Sequence, residues 1–385
     1  DAYVTYDNGY IESVWWMVKQ LWDHGLLYQD YRSTPHCPRC GTSLSDAEVA
    51  LGYQDDTPDP SVFVKFRLRD AGAQGLASLR SDVPTYVLAW TTTPWTLPGN
   101  TALAVDPEAD YVIAKLDGEY LIVASALLEK VLGQDHTVIS TLKGSALVEL
   151  RYEPLYHPTQ WGVQAMWFDP SQNGRLVAVD DPDSVEMAYT VLAADFVSME
   201  DGTGIVHIAP AFGGEDFDMG KERGLLFLQP VDLRGRLPEG SPWPGQFVKE
   251  ADAGIIEDLT RRGLMLRSET IRHTYPFCWR CNTPLLYYAK PTWYIRTTAV
   301  KDKLIAGNER INWYPEHIKR GRFGDWLRNN VDWALSRERY WGTPLPVWQC
   351  VSCSAYDAIG SRGEMRERAM EPATVDALDD LHRPY

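Results

Sequence analysis

The cysteines of this 385-residue chain constrain its fold more than any other feature. All six lie in three Cys-x-x-Cys pairs: Cys37 and Cys40, Cys278 and Cys281, Cys350 and Cys353. A disulfide framework is unusual in a long cytosolic chain, whereas two thiolate pairs are a common donor set for tetrahedral zinc. We predict that the first two pairs share one structural zinc ion. Two separate pairs that are redox-active or bind nothing are the alternative.

A shared metal would fix the path of the chain. It would bring together Cys40 and Cys278, which are separated by 237 residues, so the segment between them would leave and return at one point. An inserted domain has this topology, and the metal would hold its neck. The third pair has no further cysteine to complete a site. Cys350 and Cys353 are therefore expected to form half of a second site whose other half lies outside this sequence.

Composition and charge narrow the class of protein. Its length of 385 residues predicts roughly two to three domains, and 44% hydrophobic with 23% charged residues is typical of an ordinary soluble globular protein. Its apolar runs are far shorter than the roughly 20 residues that span a bilayer, and its start does not resemble a signal peptide, so we predict a cytoplasmic protein. The net charge of −16 argues against a chain-wide surface for nucleic acid. Residues 291–349, with ten basic and six acidic residues, suit either a local polyanion contact or a solvated face.

Periodicity separates a helical start from a β-rich middle. Apolar spacing predicts a helix over residues 8–24, capped by Asp7 or Asn8 and ended by Gly25. Short alternating runs then predict strands at Val62–Phe66, Tyr86–Trp90, Thr101–Val105, Tyr111–Lys115 and Tyr120–Val123. Helices are predicted at Ser125–Leu132, Val185–Ala194, Ala251–Arg262 and 316–330, the last burying Ile318, Phe323, Trp326 and Leu327. A mainly β, barrel-like domain fits this pattern better than a parallel doubly wound sheet.

Two runs combine hydroxyl or glycine residues with rigid Pro and Trp, which suits a pocket for a polar ligand. The first, 90–100, reads Trp-Thr-Thr-Thr-Pro-Trp-Thr-Leu-Pro-Gly-Asn, and the second, 202–210, reads Gly-Thr-Gly-Ile-Val-His-Ile-Ala-Pro. Three successive threonines on a strand would point to both faces, so at least one of Thr91, Thr92 and Thr93 is expected to face the ligand.

The second run is followed by a candidate charge. Asp216 lies nine residues after His207 and is a natural anchor for a ligand ammonium group, with Glu215 as its competitor and a helix N-cap as its structural alternative. His207 is expected near a strand end. A histidine there is often a satisfied polar residue rather than a functional one, and both interpretations remain open on the residues alone.

Taken together, the two runs, the cysteine pairs and the segment Ser336–Pro346 resemble the isoleucyl-tRNA synthetase family of class I enzymes, over nearly the whole chain. Valyl and leucyl relatives usually carry an Arg after the paired threonines, where this chain has Thr93-Pro94-Trp95. The His-Ile-Gly-His and Lys-Met-Ser-Lys-Ser types of ATP-binding loop do not occur in the sequence. The resemblance therefore implies an α/β chain in which a mainly β, barrel-like editing domain is inserted into parts of a Rossmann-type catalytic core, with a zinc-knuckle neck.

For function, the resemblance implies hydrolysis of valyl-tRNA that carries the isoleucine anticodon. It implies catalytic roles for His207, Asp216 and Thr91, and substrate binding by these three with Thr92, Thr93 and Asn100. His207 would form the wall that excludes isoleucine, and Asp216 would hold the amino acid. Asn100 is also an ordinary turn residue after Gly99. ATP and Mg²⁺ would be needed only by the full-length enzyme, and the expected partner is tRNA(Ile), with the protein a monomer and the basic 291–349 segment facing the acceptor arm.

The same resemblance implies roles for Arg337 and Trp341 and a division of the chain into segments. Arg337 and Trp341 would shape the amino-acid pocket of the complete enzyme, and in this chain alone they would be structural. The expected segments are a core helix (1–35), the first knuckle (36–60), the editing domain (61–272), the second knuckle (273–290), a return to the core (291–349) and the start of a further insertion (350–385). The alternatives are a valyl- or leucyl-type editing fragment, a noncatalytic zinc-ribbon tRNA-binding module, and a thiol oxidoreductase.

Overall fold

A computed structural model describes residues 4–69, 76, 79–80, 82–338, 342–353 and 355–382. Contacts divide the chain into two compact units. The terminal unit is formed by Asp1–Tyr31 with Lys290–Tyr385, and the central unit by Arg32–Ala289. The chain thus enters and leaves the central unit once.

The described residues form ten helices. They are α1 (Asn8–Asp23), α2 (Asp46–Ala50), α3 (Leu128–Leu132), α4 (Gly214–Arg223), α5 (Val248–Arg261), α6 (Lys301–Glu309), α7 (His317–Arg320), α8 (Arg322–Arg328), α9 (Arg362–Arg368) and α10 (Pro372–Asp376).

The same part of the chain holds eighteen strands. They are β1 (Leu27–Cys37), β2 (Thr42–Ser43), β3 (Tyr53–Arg67), β4 (Thr85–Thr91), β5 (Ala102–Val105), β6 (Asp110–Leu116), β7 (Glu119–Ala124), β8 (Thr137–Lys143), β9 (Met166–Asp169), β10 (Arg175–Ala178), β11 (Thr190–Ala193), β12 (Ile205–Ile208), β13 (Leu226–Phe227), β14 (Met265–Pro276), β15 (Leu286–Ile295), β16 (Trp333–Ala334), β17 (Val347–Gln349) and β18 (Tyr356–Ala358).

A nine-stranded mixed sheet dominates the central unit. Its order is β11-β5-β12-β4-β7-β6-β8, with β3 pairing β4 and β14 pairing β3. The sheet curls into a half-barrel, as the predicted barrel-like domain requires. The centres of strands β4 to β7 are buried, which explains why their sequences read as short continuous apolar runs. The five predicted strands are confirmed, as are the helices predicted over 125–132 and 251–262.

In the terminal unit, α1 shows how the sequence sets its own boundaries. The Asp7 carboxylate accepts the backbone N–H of Gly9 at 2.9 Å, which caps the first turn. The helix ends at Asp23, and Gly25 takes a left-handed φ of 66°. Ile11 and Trp15, one turn apart, pack with α9 and α10 residues Met365 and Val375. The predicted helix over 8–24 is confirmed. Among the described residues, no helix has the length and apolar content needed to cross a bilayer.

Two predicted helices differ from the structure. Over Val185–Ala194 the chain instead forms β11, which pairs in parallel with β5, and Tyr189 takes a left-handed φ of 56° that interrupts any helix. The helix over 316–330 is divided at Gly321 into α7 and α8. Within α8 Leu327 is buried as expected, whereas the prediction that Trp326 is buried was wrong, because 63% of its surface is exposed.

Candidate functional site

The two glycine- and threonine-containing runs meet in the middle of the central sheet. Strands β4 and β12 pair in parallel, with Trp90 opposite Val206. The next residues along the two strands are Thr91 and His207. Parallel pairing places equivalent ends of two strands side by side, so two segments more than a hundred residues apart contribute to one place.

A chain of hydroxyl contacts joins the first run to the histidine. The Thr93 N–H donates to Thr91 Oγ1 at 3.2 Å, and the Thr93 and Thr96 hydroxyl oxygens are 3.2 Å apart. Thr96 Oγ1 donates to the Thr93 carbonyl and lies 3.1 Å from His207 Nε2. Sequence reasoning did not select Thr96. Two features of the sequence could have identified it. Thr96 lies three residues after Thr93, and Pro94 directly after Thr93 favours the start of a helical turn, which places the two threonines on one side.

The threonine run itself is not a continuous strand. Only Thr91 lies in β4; Thr92 and Thr93 precede a 3-10 turn over Pro94–Gly99. The premise that three strand residues alternate between two faces was therefore wrong. Thr92 and Thr93 are half-buried, and Thr91 is buried.

His207 is neutral in this environment. Only 8% of the residue is exposed, and burial lowers the pKa of its imidazole to about 4. Its Nε2 lies against Thr96, and its Nδ1 has no hydrogen-bond partner among the described residues. A neutral ring with one unpartnered nitrogen can form a wall or accept a hydrogen bond, but it cannot carry a positive charge near pH 7.

Asp216 supplies a negative charge close to the end of β12. It is the third residue of α4, whose N-cap is Gly213, and its Oδ2 accepts the N–H of Ala209 at 2.8 Å. Burial raises the pKa of Asp216 to about 6, and the charge of Glu215 adds to the rise, while the Ala209 N–H opposes it. A Cβ on Gly213 would lie 2.8 Å from the Asp216 carboxylate, so glycine is needed there. Asp216 is thus mostly ionised at pH 7, and Gly213, not Asp216, is the N-cap.

Asn100 has an internal role in the structure. It is buried, donates to the Ala102 carbonyl at 2.8 Å, and accepts the Tyr152 hydroxyl at 2.7 Å. These bonds fix the end of the 3-10 turn where the chain enters β5. Asn100 therefore stabilises the turn that follows the threonine run.

The glycines of the second run serve packing. A Cβ on Gly202 would lie 2.8 Å from the Trp90 ring, and one on Gly204 would lie 2.3 Å from Ala124 Cβ. Both residues also take left-handed φ angles near 70°, at 71° and 72°. Glycine at these two positions is therefore explained by packing against Trp90 and Ala124 and by the left-handed backbone.

The four cysteines of the first two pairs form a compact cluster in the central unit. Their sulfur atoms all lie within 4.8 Å of one another, and Cys37 Sγ is 3.4 Å from Cys281 Sγ. All four are free thiols, since a disulfide would need about 2.05 Å between sulfurs. Leu44, Val49 and Leu285 pack around them. This cluster can hold a metal ion.

The remaining predicted residues lie in the terminal unit. Cys350 and Cys353 are exposed in the connection between β17 and β18. The Arg337 guanidinium donates to the Ala334 and Ser336 carbonyls, which is a structural contact. Trp341 lies outside the described residues.

Comparison with known proteins fits this arrangement. The family model described as tRNA synthetases class I (I, L, M and V) matches residues 1–379. The chain belongs to this family. The fold class predicted from the sequence is thereby confirmed, together with the half-barrel sheet of its central unit.

Individual relatives place the chain within the class I synthetases. It is 52% identical to an isoleucine–tRNA ligase of Dehalococcoides mccartyi and 47% identical to that of Thermus thermophilus, in each case over 100% of this chain. The alignments cover 38% and 34% of those two proteins, so the chain spans about a third of the length of the relatives it matches. The resemblance inferred from the motifs is confirmed.

Solved structures that align with this class I synthetase chain include two from leucyl enzymes. One is titled the crystal structure of GlLeuRS-CP1, with a TM-score of 0.40 and 15% identity, covering 54% of this chain and 96% of that one. The other is the Plasmodium knowlesi cytosolic leucyl-tRNA synthetase editing domain, with a TM-score of 0.38 and 11% identity, covering 56% and 98%.

Proposed function

We propose that this chain carries the editing site of an isoleucyl-tRNA synthetase and hydrolyses the ester bond of valyl-tRNA(Ile). The observation that supports this most is the placement of two groups at one strand end. His207 is buried, neutral and in contact with Thr96, and the half-buried carboxylate of Asp216 accepts the N–H of Ala209, two residues beyond His207. The end of a misacylated tRNA presents an ammonium group, an ester carbonyl and ribose hydroxyls. The site offers one charge and a group of hydroxyls to match them.

The roles follow from charge and polarity. Asp216 would bind the ammonium group of valine, because an ionised carboxylate forms a strong charge-assisted hydrogen bond with it. Thr91, Thr92 and Thr93 would hold the terminal adenosine and the ester. Water attacks the ester carbonyl carbon, the bond from that carbon to the ribose oxygen breaks, and the water proton passes to this oxygen. The products are valine and tRNA.

The attacking water is positioned rather than strongly deprotonated by the protein. A histidine whose pKa is about 4 is a weak base near pH 7, so His207 contributes little by accepting a proton. Hydroxyl and backbone dipoles held in a fixed arrangement can stabilise the oxyanion without reorganisation, and the neighbouring ribose hydroxyl can assist the attack. The connected hydroxyls of Thr91, Thr93 and Thr96 form such an arrangement.

Selection between amino acids would depend on size. Valine is smaller than isoleucine by one methylene, which contributes only about 1 to 3 kcal/mol of discrimination. Isoleucyl-tRNA synthetases are a known example of this limit, and a second site must therefore remove valine. His207 is buried and held by Thr96, which makes it a rigid wall. Isoleucine would clash with this wall, whereas valine would fit.

The direct test is deacylation of valyl-tRNA(Ile) and isoleucyl-tRNA(Ile) by this chain. We expect hydrolysis of the valyl ester at least tenfold faster than that of the isoleucyl ester. Binding of tRNA without hydrolysis would instead indicate a noncatalytic RNA-binding module. Equal hydrolysis of both esters would contradict the proposed selectivity.

Replacement of His207 with Ala is expected to admit isoleucyl-tRNA. Removing the imidazole deletes the steric exclusion, so hydrolysis of isoleucyl-tRNA should rise roughly tenfold or more, a change of about 1.4 kcal/mol. The His207→Phe variant is the matched control, since it keeps a ring of similar size at this position and should still spare isoleucyl-tRNA. If His207→Ala still spares isoleucyl-tRNA, the wall lies elsewhere.

We also propose that Cys37, Cys40, Cys278 and Cys281 hold structural zinc. Four thiols within 4.8 Å of one another fit a tetrahedral site, in which sulfurs are about 3.8 Å apart. Burial raises the pKa of the Cys37 thiol, and a bound cation would reverse this by favouring the thiolate. The metal would stabilise the fold without taking part in hydrolysis.

The complete protein would ligate isoleucine to tRNA(Ile) with ATP and Mg²⁺. This rests on the relatives, of which the chain covers about a third. The proposed domain boundaries, the second half-site at Cys350 and Cys353, the contact of segment 291–349 with the acceptor arm, a monomeric state and a cytoplasmic location belong to the same proposal.

A further inference from the structure

A buried carboxylate lies behind the threonine run, and the function proposed above does not use it. Asp252 is on α5 and only 5% exposed. Its Oδ1 accepts the backbone N–H of Trp95 at 2.9 Å, and its Oδ2 has no hydrogen-bond partner among the described residues. Nothing in the sequence pattern marks this residue, which is 157 positions away from Trp95.

The Trp95 N–H, which donates to Asp252, has no acceptor within the 3-10 turn itself. The first N–H groups of any helical turn lack a partner within it. Pro94 has no N–H, and the Thr96 N–H donates to the Thr93 carbonyl at 3.0 Å. Trp95 is left with a buried donor, and Asp252 supplies its acceptor from a different element. Loss of this acceptor would leave a buried N–H unpaired, which is costly.

The turn that Asp252 holds is the one that carries the hydroxyl contacts to His207. Trp95 stands between Thr93 and Thr96, whose hydroxyl oxygens are 3.2 Å apart. Thr96 in turn lies 3.1 Å from the imidazole. A shift of the Trp95 backbone therefore moves both hydroxyls relative to His207.

Within the described part of the chain, no basic side chain forms an ion pair with Asp252. Lys249, one turn earlier on α5, pairs with Asp59 of β3 at 2.7 Å, and His273 of β14 contacts the same carboxylate at 2.9 Å. Lys249 also lies 4.5 Å from the centre of the Tyr275 ring on β14. Burial raises the pKa of Asp252 to about 7 and Asp59 adds to this, although Lys249 and the Trp95 N–H oppose it. Its charge thus changes near neutral pH.

We propose that Asp252 is a positioning residue of the editing site, which holds the Trp95 N–H and thereby fixes the Thr93–Thr96 turn against His207. The expected effect of Asp252 on catalysis rests on the proposed editing function. Its effect on the position of the turn is independent of that function. An ionised carboxylate is a stronger acceptor than a neutral one, so the turn is held more firmly above pH 7 than below it.

The test compares Asp252→Ala, which removes the acceptor, with Asp252→Asn, which keeps an acceptor oxygen and removes the titration. Glu257→Ala, an exposed carboxylate on the same helix, is the control. Amide hydrogen exchange over residues 93–97 and steady-state hydrolysis of valyl-tRNA are measured from pH 5.5 to 8.5. Melting curves show whether each variant is folded.

We expect Asp252→Ala to increase exchange at Trp95 and to lower kcat, each roughly tenfold or more, with KM within about threefold of the wild type. Asp252→Asn should retain kcat within about threefold and lose the inflection near pH 7. Glu257→Ala should match the wild type. Unchanged exchange and kcat in Asp252→Ala, or an equal loss of kcat in Asp252→Asn, would overturn the inference. Absence of hydrolysis by the wild type would count against the editing function, and the exchange comparison would still decide the role of Asp252.

Discussion

Replacing Asp216 with Ala is expected to lower kcat/KM for valyl-tRNA(Ile) hydrolysis by roughly two to four orders of magnitude. The carboxylate is half-buried beside the end of β12 and is mostly ionised at pH 7. Removing one member of a buried charge pair costs about 3 to 5 kcal/mol, because the substrate ammonium group would be desolvated without a partner. Deacylation of purified valyl-tRNA under conditions of limiting substrate measures the effect.

The chain contains a matched control for this variant. Glu215 precedes Asp216 on α4, but it is exposed to solvent. Glu215→Ala should therefore keep kcat/KM within about threefold of the wild type. If activity were lost in Glu215→Ala and kept in Asp216→Ala, Glu215 would be the residue that binds the ammonium group, and our assignment would be wrong.

The same carboxylate predicts a pH dependence with a definite sign. Burial raises the pKa of Asp216 to about 6 from its ordinary value of 3.8, so the charged anchor forms as pH rises through 6. Hydrolysis should increase between about pH 5 and 7. Because this pKa is higher in the folded chain than in the unfolded chain, the contribution of Asp216 to stability is full below about pH 4 and declines until about pH 6.

Asp216→Asn should consequently be inactive and more stable than the wild type above pH 6. The gain has a ceiling of about 3 kcal/mol, since one pKa unit corresponds to about 1.36 kcal/mol. Urea unfolding at pH 4 and pH 7.5 measures it: the advantage should be small at the lower pH and full at the higher one. An anchor that is costly to the fold is expected of a group retained for binding.

The positions of Thr91 and His207 illustrate what could be predicted from the sequence. Both runs had recognisable strand and turn patterns, and the family resemblance related them to one pocket. Local side-chain patterning predicted the strand over Tyr86–Trp90 and a strand end near His207, and the pairing of β4 with β12 brings Thr91 and His207 together. Thr96 was within reach of the same argument through its spacing from Thr93.

Other features depend on contacts that local pattern does not encode. Asp252 meets Trp95 only because α5 packs behind the 3-10 turn. The sequence pattern indicates that Asn100 is a turn residue, but its side chain is buried and accepts a hydrogen bond from the Tyr152 hydroxyl. Residues 190–193 have the apolar content of a helix face, but the free edge of β5 pairs with them as a strand. In each case tertiary packing decides between local alternatives of similar free energy.

Loss of the cysteine cluster is expected to have the largest effect on stability. We expect one zinc ion per chain, and removal by a chelator or by Cys278→Ser should lower the free energy of unfolding of the central unit by at least about 3 kcal/mol. Structural zinc contributes folding free energy directly, with apparent values of about 10 to 16 kcal/mol in zinc-finger peptides. Cys278 is only 3% exposed, so a serine there would also leave a buried hydroxyl beside three thiols.

The exposed third pair supplies the control for this experiment. Cys353→Ser changes a solvent-exposed thiol in the terminal unit, so zinc content and melting temperature should match the wild type. Metal content is measured by atomic absorption and stability by thermal melting, with readdition of zinc to the chelated chain expected to restore the melting temperature. A redox-active dithiol would behave differently: the chain would bind no metal, and mild oxidation would join the cysteines at Cys37 and Cys281, whose sulfurs are 3.4 Å apart. Because the cluster joins residues 37–40 to 278–281, its loss should loosen the point at which the chain enters and leaves the central unit before it affects the sheet that carries His207.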